Sequence, residues 1–323
     1  SSPLTGVKSI SAGRYHTCAL MNDSSLVCWG ANDSGQLGVG DKDDRKLPVK
    51  VQNSSGDADL TNIKSISAGA FYTCAVIKDN SLLCWGDNAN GQLGTGDKFL
   101  SELPVSVKND GNNPLSGVDS VSAGGGKYCG AHTCAIKRDG SAMCWGSNSY
   151  GQLGNGVDFN DSLLPQQVKD INSASSISSG DCHTCAIQSY KIKCWGSNHP
   201  HKQLGTSSIS GSSNTPVDID DSSDFKGISC REEFSCAITS LGGVKCWGFN
   251  DDGQAGGTDK PASVHYVMED SYGVVSVSTG YYHACAVTGS GDVECWGKND
   301  SGQFGDGTTN PSNAPVKAVL CPP

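Results

Sequence analysis

Residues Cys18 to Gly30 read CALMNDSSLVCWG, and five later stretches repeat the pattern. They are CAVIKDNSLLCWG from Cys74, CAIKRDGSAMCWG from Cys134, CAIQSYKIKCWG from Cys185, CAITSLGGVKCWG from Cys236 and CAVTGSGDVECWG from Cys285. Each opens on Cys-Ala, runs through an apolar segment, turns on small polar residues and closes on Cys-Trp-Gly. Two short strand-like runs joined by such a turn make a β-hairpin. The two cysteines of each stretch lie 10, 10, 10, 9, 10 and 10 positions apart, flanking the turn. Facing positions of a hairpin satisfy disulfide geometry, whereas structural zinc sites favour close cysteine pairs. The expected bridges are Cys18–Cys28, Cys74–Cys84, Cys134–Cys144, Cys185–Cys194, Cys236–Cys246 and Cys285–Cys295. The fourth copy is one residue shorter, yet a two-residue loop within Gln188-Ser189-Tyr190-Lys191 keeps its cysteines opposed.

Such bridges belong to an oxidising compartment: secreted, periplasmic or cell-surface. The chain opens at Ser1-Ser2-Pro3 with no charged-then-apolar leader, so a signal peptide is expected to have been removed already. No window approaches 18 apolar residues, which argues against membrane insertion. The formal net charge of −10 argues against a nucleic-acid partner, because phosphate binding calls for a basic surface. Glycine (42 residues) is abundant and aromatics are sparse, as many short strands and tight turns require.

Aligning on Cys-Trp-Gly exposes six units, at approximately 8–63, 64–118, 119–175, 176–226, 227–274 and 275–323. Each begins with an Ile-Ser-Ala-Gly type strand (Ile10 to Gly13 in the first). The hairpin follows, then a turn of the form Asn-x-x-Gly-Gln-Leu-Gly (Asn32 to Gly38), then a variable loop and a Pro-Val strand (Pro48, Val49). In the fourth unit His199-Pro200-His201-Lys202 interrupts that turn, and in the fifth the last strand is blurred near Val264 to Val267. Four strands, A to D, cannot bury both faces of a lone sheet, so the copies pack against one another. Radial packing gives an all-β propeller in a single domain. The C-terminal strand from Ala314 is expected to join the first blade and close the ring.

Ser-Ala-Gly-x-x-His-Thr-Cys-Ala, Trp-Gly-x-Asn-x-x-Gly-Gln-Leu-Gly and the later Pro-Val resemble the regulator-of-chromosome-condensation repeat family. The resemblance covers almost the whole chain and implies a propeller; that family commonly forms seven blades, so six are expected here and seven is the alternative. The paired cysteines are similar to those of extracellular relatives, such as the ectodomains of plant crinkly-type receptor kinases. The nucleotide-exchange activity of the nuclear member is therefore not carried over.

The remaining motifs read as scaffold. His16, Tyr72, His132, His183, Phe234 and His283 share one repeat position. The two aromatic interruptions and the spacing around a channel weigh against a metal, and the reading is of structural residues with no cofactor. All six tryptophans occupy Cys-Trp-Gly and read as packing. Cys129, Cys182, Cys230 and Cys321 are extra. Cys182 is placed to tie neighbouring blades through either Cys129 or Cys230. Asp218, Asp220, Ser222 and Asp224 alternate as calcium ligands do, but the glycine and glutamate of such a loop are missing, so they read as a solvated acidic loop. Of the Asn-x-Ser sequons, Asn32 and Asn299 belong to the repeat turn.

The strand order sends the A–B turns and C–D loops to one face and the D–A links and B–C turns to the other. The second face is polar and acidic. The first collects Tyr15, Phe71, Tyr128, Tyr150, Phe99, Phe159, His199, His201, Phe249, Tyr281 and Tyr282, and exposed aromatics make interface anchors. The expected function is a secreted or surface-displayed binding or adhesion propeller, part of a larger surface protein or assembly, which recognises a protein or glycan through this face. The rival is a secreted enzyme inhibitor like the propeller-type β-lactamase-inhibitory protein. No motif stands apart from the repeat to make it an enzyme.

Overall fold

The computed structural model describes residues 3–126, 129–260 and 262–319. Tyr128 and Cys321 lie outside them. The fold is a six-bladed β-propeller, each blade a four-stranded antiparallel sheet in the order A-B-C-D. Blade 1 is Val7–Ala12, His16–Met21, Leu26–Gly30 and Arg45–Lys50. The other blades occupy 63–106, 118–167, 174–218, 225–268 and 276–317. The blurred strand of blade 5 is Ala262–Met268, which reaches its partner through two irregularities in register.

Two compact units share the blades. One comprises 1–149 with 158–168, and the other 150–157 with 169–323. Blades 1 to 3 without the 150–157 loop form the first, and that loop joins blades 4 to 6 in the second.

Every Cys-Trp-Gly hairpin has the register its sequence implies. Cys18 faces Cys28, and the other five pairs are opposed in the same way, each bridged with Cα atoms 4.1 Å apart. In the short fourth copy Gln188 pairs with Lys191 around Ser189 and Tyr190, both at positive φ. This is the backbone of the tight turn that matches strand twist.

The core lies between consecutive blades. In the first unit Leu20, Leu26, Leu37 and Val51 of blade 1 pack with Ile63, Ala75 and Trp85 of blade 2. In the second, Phe234, Val244 and Ala255 of blade 5 pack with Ala284 and Trp296 of blade 6. One bond recurs at this seam. The Nε1 of Trp85, Trp145, Trp195, Trp247 and Trp296 donates at 2.9–3.0 Å to the backbone carbonyl of Gln36, Gln92, Gln152, Gln203 and Gln254. Thr73, Thr133 and Thr184 donate their hydroxyls to the first three of these carbonyls. Each such carbonyl thus uses both lone pairs. Nearer the start of each sheet, the serine of Ser-Ala-Gly accepts the next blade's strand A amide, as Ser11 does from Ala68 and Ser67 from Ala123. Asn32 and its counterparts are buried and take a backbone amide of their own turn, as in Leu37 N–H to Asn32 Oδ1 at 2.9 Å. Their side chains are structural.

Two expectations are corrected. The strand Ser312–Lys317 pairs inside blade 6, and blade 1 draws all four of its strands from residues 7–50, so the C-terminal strand does not join the first blade. The reason is phase: each repeat runs from A to D within itself and leaves no strand to exchange. Second, Cys230 does not bridge to another blade. Cys129 and Cys182 are disulfide-bonded, but Cys230 is a buried free thiol whose Sγ accepts the Ser235 hydroxyl at 3.2 Å.

Peptide mapping without reduction is expected to recover all six hairpin bridges, and a free thiol at any of those positions would overturn the pairing. Trp85→Phe, which keeps a ring but removes the Nε1 donor, should cost about 1–3 kcal/mol in urea unfolding. Trp29 is only half-buried and makes no such bond, so Trp29→Phe should stay within about 0.5 kcal/mol of wild type. Equal effects would refute the seam bond as the distinguishing contribution.

Candidate functional site

Constant residues build the seam, so chemistry must come from positions where the copies differ. The A–B turn is the clearest. Where the other copies carry Gly13, Gly69, Gly124, Gly180 and Gly280, blade 5 carries Arg231, followed by Glu232 and Glu233. Phe249 opens the C–D loop of the same blade, and its amide is held by the Glu233 carbonyl at 2.9 Å.

Around this turn the second unit gathers side chains from three blades. From blade 4, His201 places Nε2 3.0 Å from Glu233 Oε2. Its ring meets Phe249 edge-on, with centroids 4.6 Å apart. Blade 6 continues the row, Phe249 to Tyr282 at 6.4 Å and Tyr282 to Tyr281 at 6.2 Å. Cations flank it. Arg231 stands over the Tyr281 ring at 5.5 Å and Lys298 over Tyr282 at 5.4 Å. The result is a row of aromatic rings, half-buried to exposed, with a cation over each tyrosine and a carboxyl against the histidine.

The electrostatics of the carboxyl follow from its surroundings. Burial, with the charge of Asp181 adding to it, pushes Glu233 up to about 7. Burial also lowers His201, assisted by His199 and opposed by Asp251. Both shifts favour a neutral pair, in which the protonated acid donates to the neutral imidazole.

In the first unit Tyr15 and Phe71 approach at 6.2 Å, and Arg14 lies over both, 5.4 and 5.8 Å from the centroids. This is a smaller patch without a buried carboxyl. Phe99, 81% exposed, stands alone on its C–D loop, held by Asp97 and Asn88 through its backbone. Tyr150 and Phe159 are exposed and make no ring contact among the described residues, and His199 is likewise exposed. Tyr72 belongs to the core instead: fully buried, it donates to the His132 carbonyl at 2.7 Å.

The histidines of the repeat act as scaffold. His16 Nε2 meets Thr73 Oγ1 at 2.9 Å and His183 Nε2 meets Ser235 Oγ at 2.8 Å, while burial lowers His183 to about 3. His183, Cys185 and Cys230 converge closely enough to suggest a metal, but the Cys185 sulfur is committed to Cys194, and burial raises the Cys230 thiol to about 12. A thiolate is needed for ligation. The acidic 218–224 loop is internally satisfied: Asp218 pairs with Lys193, Asp224 with Lys191, and Asp220 with Thr206 and Ser207.

Sequence reasoning picked out His201, Phe249, Tyr281 and Tyr282 but missed Arg231, Glu233, Asp181 and Lys298. The available signal was the break in Ser-Ala-Gly at Arg231, which marks a loop freed from the repeat.

The fold and this strip define a repeat propeller with one divergent, aromatic face. Comparison with known proteins places it further. Models of the regulator of chromosome condensation (RCC1) repeat match residues 7–36, 63–92, 118–152, 225–254 and 274–303, and in a second form 23–76 and 139–187. Those spans take in more than half of the chain, which belongs to the RCC1 repeat family. The Ultraviolet-B receptor UVR8 of Arabidopsis thaliana is 33% identical over 255 residues, covering 77% of this chain and 54% of that protein. The chain thus spans about half the length of that curated relative. Among solved structures, yeast RCC1 (Prp20) bound to Kap60 gives a TM-score of 0.78 at 20% identity, over 97% of this chain and 75% of that one. The CRINKLY ectodomain of the A. thaliana receptor kinase ACR4 gives 0.52 at 19% identity, over 90% and 79%. At those identities the two structures speak to the fold alone.

The Glu233 carboxyl supplies a pH test. Its folded value near 7, against an ordinary 4.5, means that folding takes up a proton, so stability falls as pH rises through that window. His201 acts in the opposite sense, losing stability as pH falls below its ordinary 6.5. Glu233→Gln abolishes only the first contribution. Between about pH 5 and 8 the melting temperature of wild type should fall relative to that of the variant. Parallel curves would refute the assignment.

Proposed function

We propose that the chain is a protein-binding propeller of an oxidising, extracytoplasmic compartment, and that it engages its partner through the strip formed by His201, Phe249, Tyr281 and Tyr282. The observation that carries the reading is the strip itself. Aromatic rings that are rigid, partly desolvated and bracketed by Arg231 and Lys298 have the composition of an interface hot spot. Loops of varied length on a cross-linked scaffold are the usual place for specificity. Fourteen disulfide-bonded cysteines support the compartment, since such bridges do not persist in a reducing cytosol. The curated relative lends weight, since UVR8 is named a receptor. A row of rings with cations over its two tyrosines fits a protein surface that offers apolar and acidic side chains.

The test probes wild type and the Phe249→Ala/Tyr282→Ala double variant in parallel, against surface proteins of the source organism and against a glycan array. Loss of an anchor pair should cost about 2 kcal/mol or more, roughly thirtyfold in Kd for a protein partner. Undiminished affinity in the variant would move the site elsewhere, and binding to glycans alone would replace the protein reading with a lectin.

A further inference from the structure

Within each unit, strand A of a blade sets one residue against the hairpin of the blade before it. A serine of that preceding blade holds the residue's amide, as Ser11 holds Ala68 and Ser178 holds Cys230, both at 2.9 Å. Ser178 is itself paired with Cys185 on strand B of blade 4, as Ser11 is with Cys18. The residue so held stands beside a bridge cysteine. In the first unit it is Ala68, whose strand partner Thr73 brings its hydroxyl to 4.0 Å from the Cys18 sulfur. The other blades carry Ala12, Ala123, Ser179 and Thr279 at this position, and blade 5 carries Cys230.

A thiol at that position meets a disulfide. The Cys230 sulfur lies within 4.8 Å of the Cys185 sulfur and of a His183 ring nitrogen, and Cys185 is joined to Cys194. All four side chains are buried. Three donors converge on the thiol: the Ser235 hydroxyl at 3.2 Å, the Ser178 hydroxyl and the Cys185 amide. Ser235 is in turn held by His183, with Nε2 and Oγ 2.8 Å apart. Burial raises the thiol to about 12, and the three hydrogen bonds oppose that by favouring the thiolate. The sulfur is thus next to a bridge, shielded from external thiols and oxidants, and supplied with the contacts that a thiolate needs.

We propose that Cys230 and the Cys185–Cys194 bridge form an internal thiol–disulfide exchange site. The Cys230 thiolate attacks the Cys185 sulfur. The Cys185–Cys194 bond breaks as the Cys185–Cys230 bond forms, and Cys194 leaves as a thiolate. Cys194 takes up the proton that Cys230 gave up, so one thiol and one bridge remain and no outside oxidant or reductant is consumed. Cys185 is the sulfur attacked, because its sulfur and its amide both reach Cys230. A fixed neighbour replaces an encounter between molecules, and this proximity offsets the scarcity of thiolate. The bridge moves from inside blade 4 to the seam between blades 4 and 5. There it clasps blade 4 to the root of the turn that carries Arg231 and Glu233, at the seam across which His201 meets Glu233.

Non-reducing peptide mapping of the whole chain tests this, with free thiols blocked by N-ethylmaleimide on unfolding. Kept at about pH 5, where thiolate is scarcest, wild type should show Cys194 bridged to Cys185. During incubation at about pH 9, Cys194 should become labelled and peptides cross-linked through Cys185 and Cys230 should appear. Both should rise in rate about tenfold per pH unit, as the thiolate fraction does. Cys230→Ser should leave Cys194 unlabelled. Cys194→Ser leaves Cys185 and Cys230 as facing thiols, which mild oxidation with diamide should join in the folded variant. If that variant does not fold, the wild-type and Cys230→Ser maps decide. The proposal is overturned by wild type that keeps Cys194 bridged to Cys185 throughout, by labelling of Cys194 that is as fast in Cys230→Ser, or by a cross-link of Cys230 to Cys194 instead of Cys185.

Discussion

The arrangement depends on one backbone carbonyl per junction. The Gln carbonyl of one blade receives the indole N–H of the next, and at the three junctions after blades 1, 2 and 3 a threonine hydroxyl as well. A four-stranded sheet has two faces and no way to bury both alone. The carbonyl sets where the next sheet sits, and the glycine that follows makes room for the ring. Because the turn carrying that carbonyl is fixed by a buried asparagine, local and inter-blade order rest on the same few residues. This explains why Asn, Gln, Gly and Trp recur while the loops around them do not.

The disulfides act at a different level. Those of the six hairpins tie strand B to strand C inside each blade. Their effect is to hold a hairpin whose own core is thin, so that loops at its ends can diverge without opening the sheet. The Arg231–Glu233 turn is what that freedom produced. It replaces a glycine and carries a buried carboxyl, and its neighbours from adjacent blades complete an aromatic strip that no single repeat contains.

The hairpins, their bridges, the number of blades and the burial of the tryptophans were legible in the chain because each is a local pattern stated six times. His201, Phe249, Tyr281 and Tyr282 could be assigned to one face by strand alternation alone. Tyr72 read as structural from its repeat position, the first of strand B, and it is buried there. The C-terminal strand was assigned to the wrong blade because the pattern records which strands exist but not which edge each one joins.

The sequence by itself determined the repeat, its register and the redox character of the scaffold, since cysteine spacing and turn chemistry act over a dozen residues. It took the tertiary fold to bring Glu233, separated by 32 positions from His201, to 3.0 Å from its Nε2, and to leave Trp29 as the tryptophan whose Nε1 reaches no carbonyl among the described residues. Both depend on what stands across a blade boundary, and distance through space between repeats is not encoded in spacing along the chain.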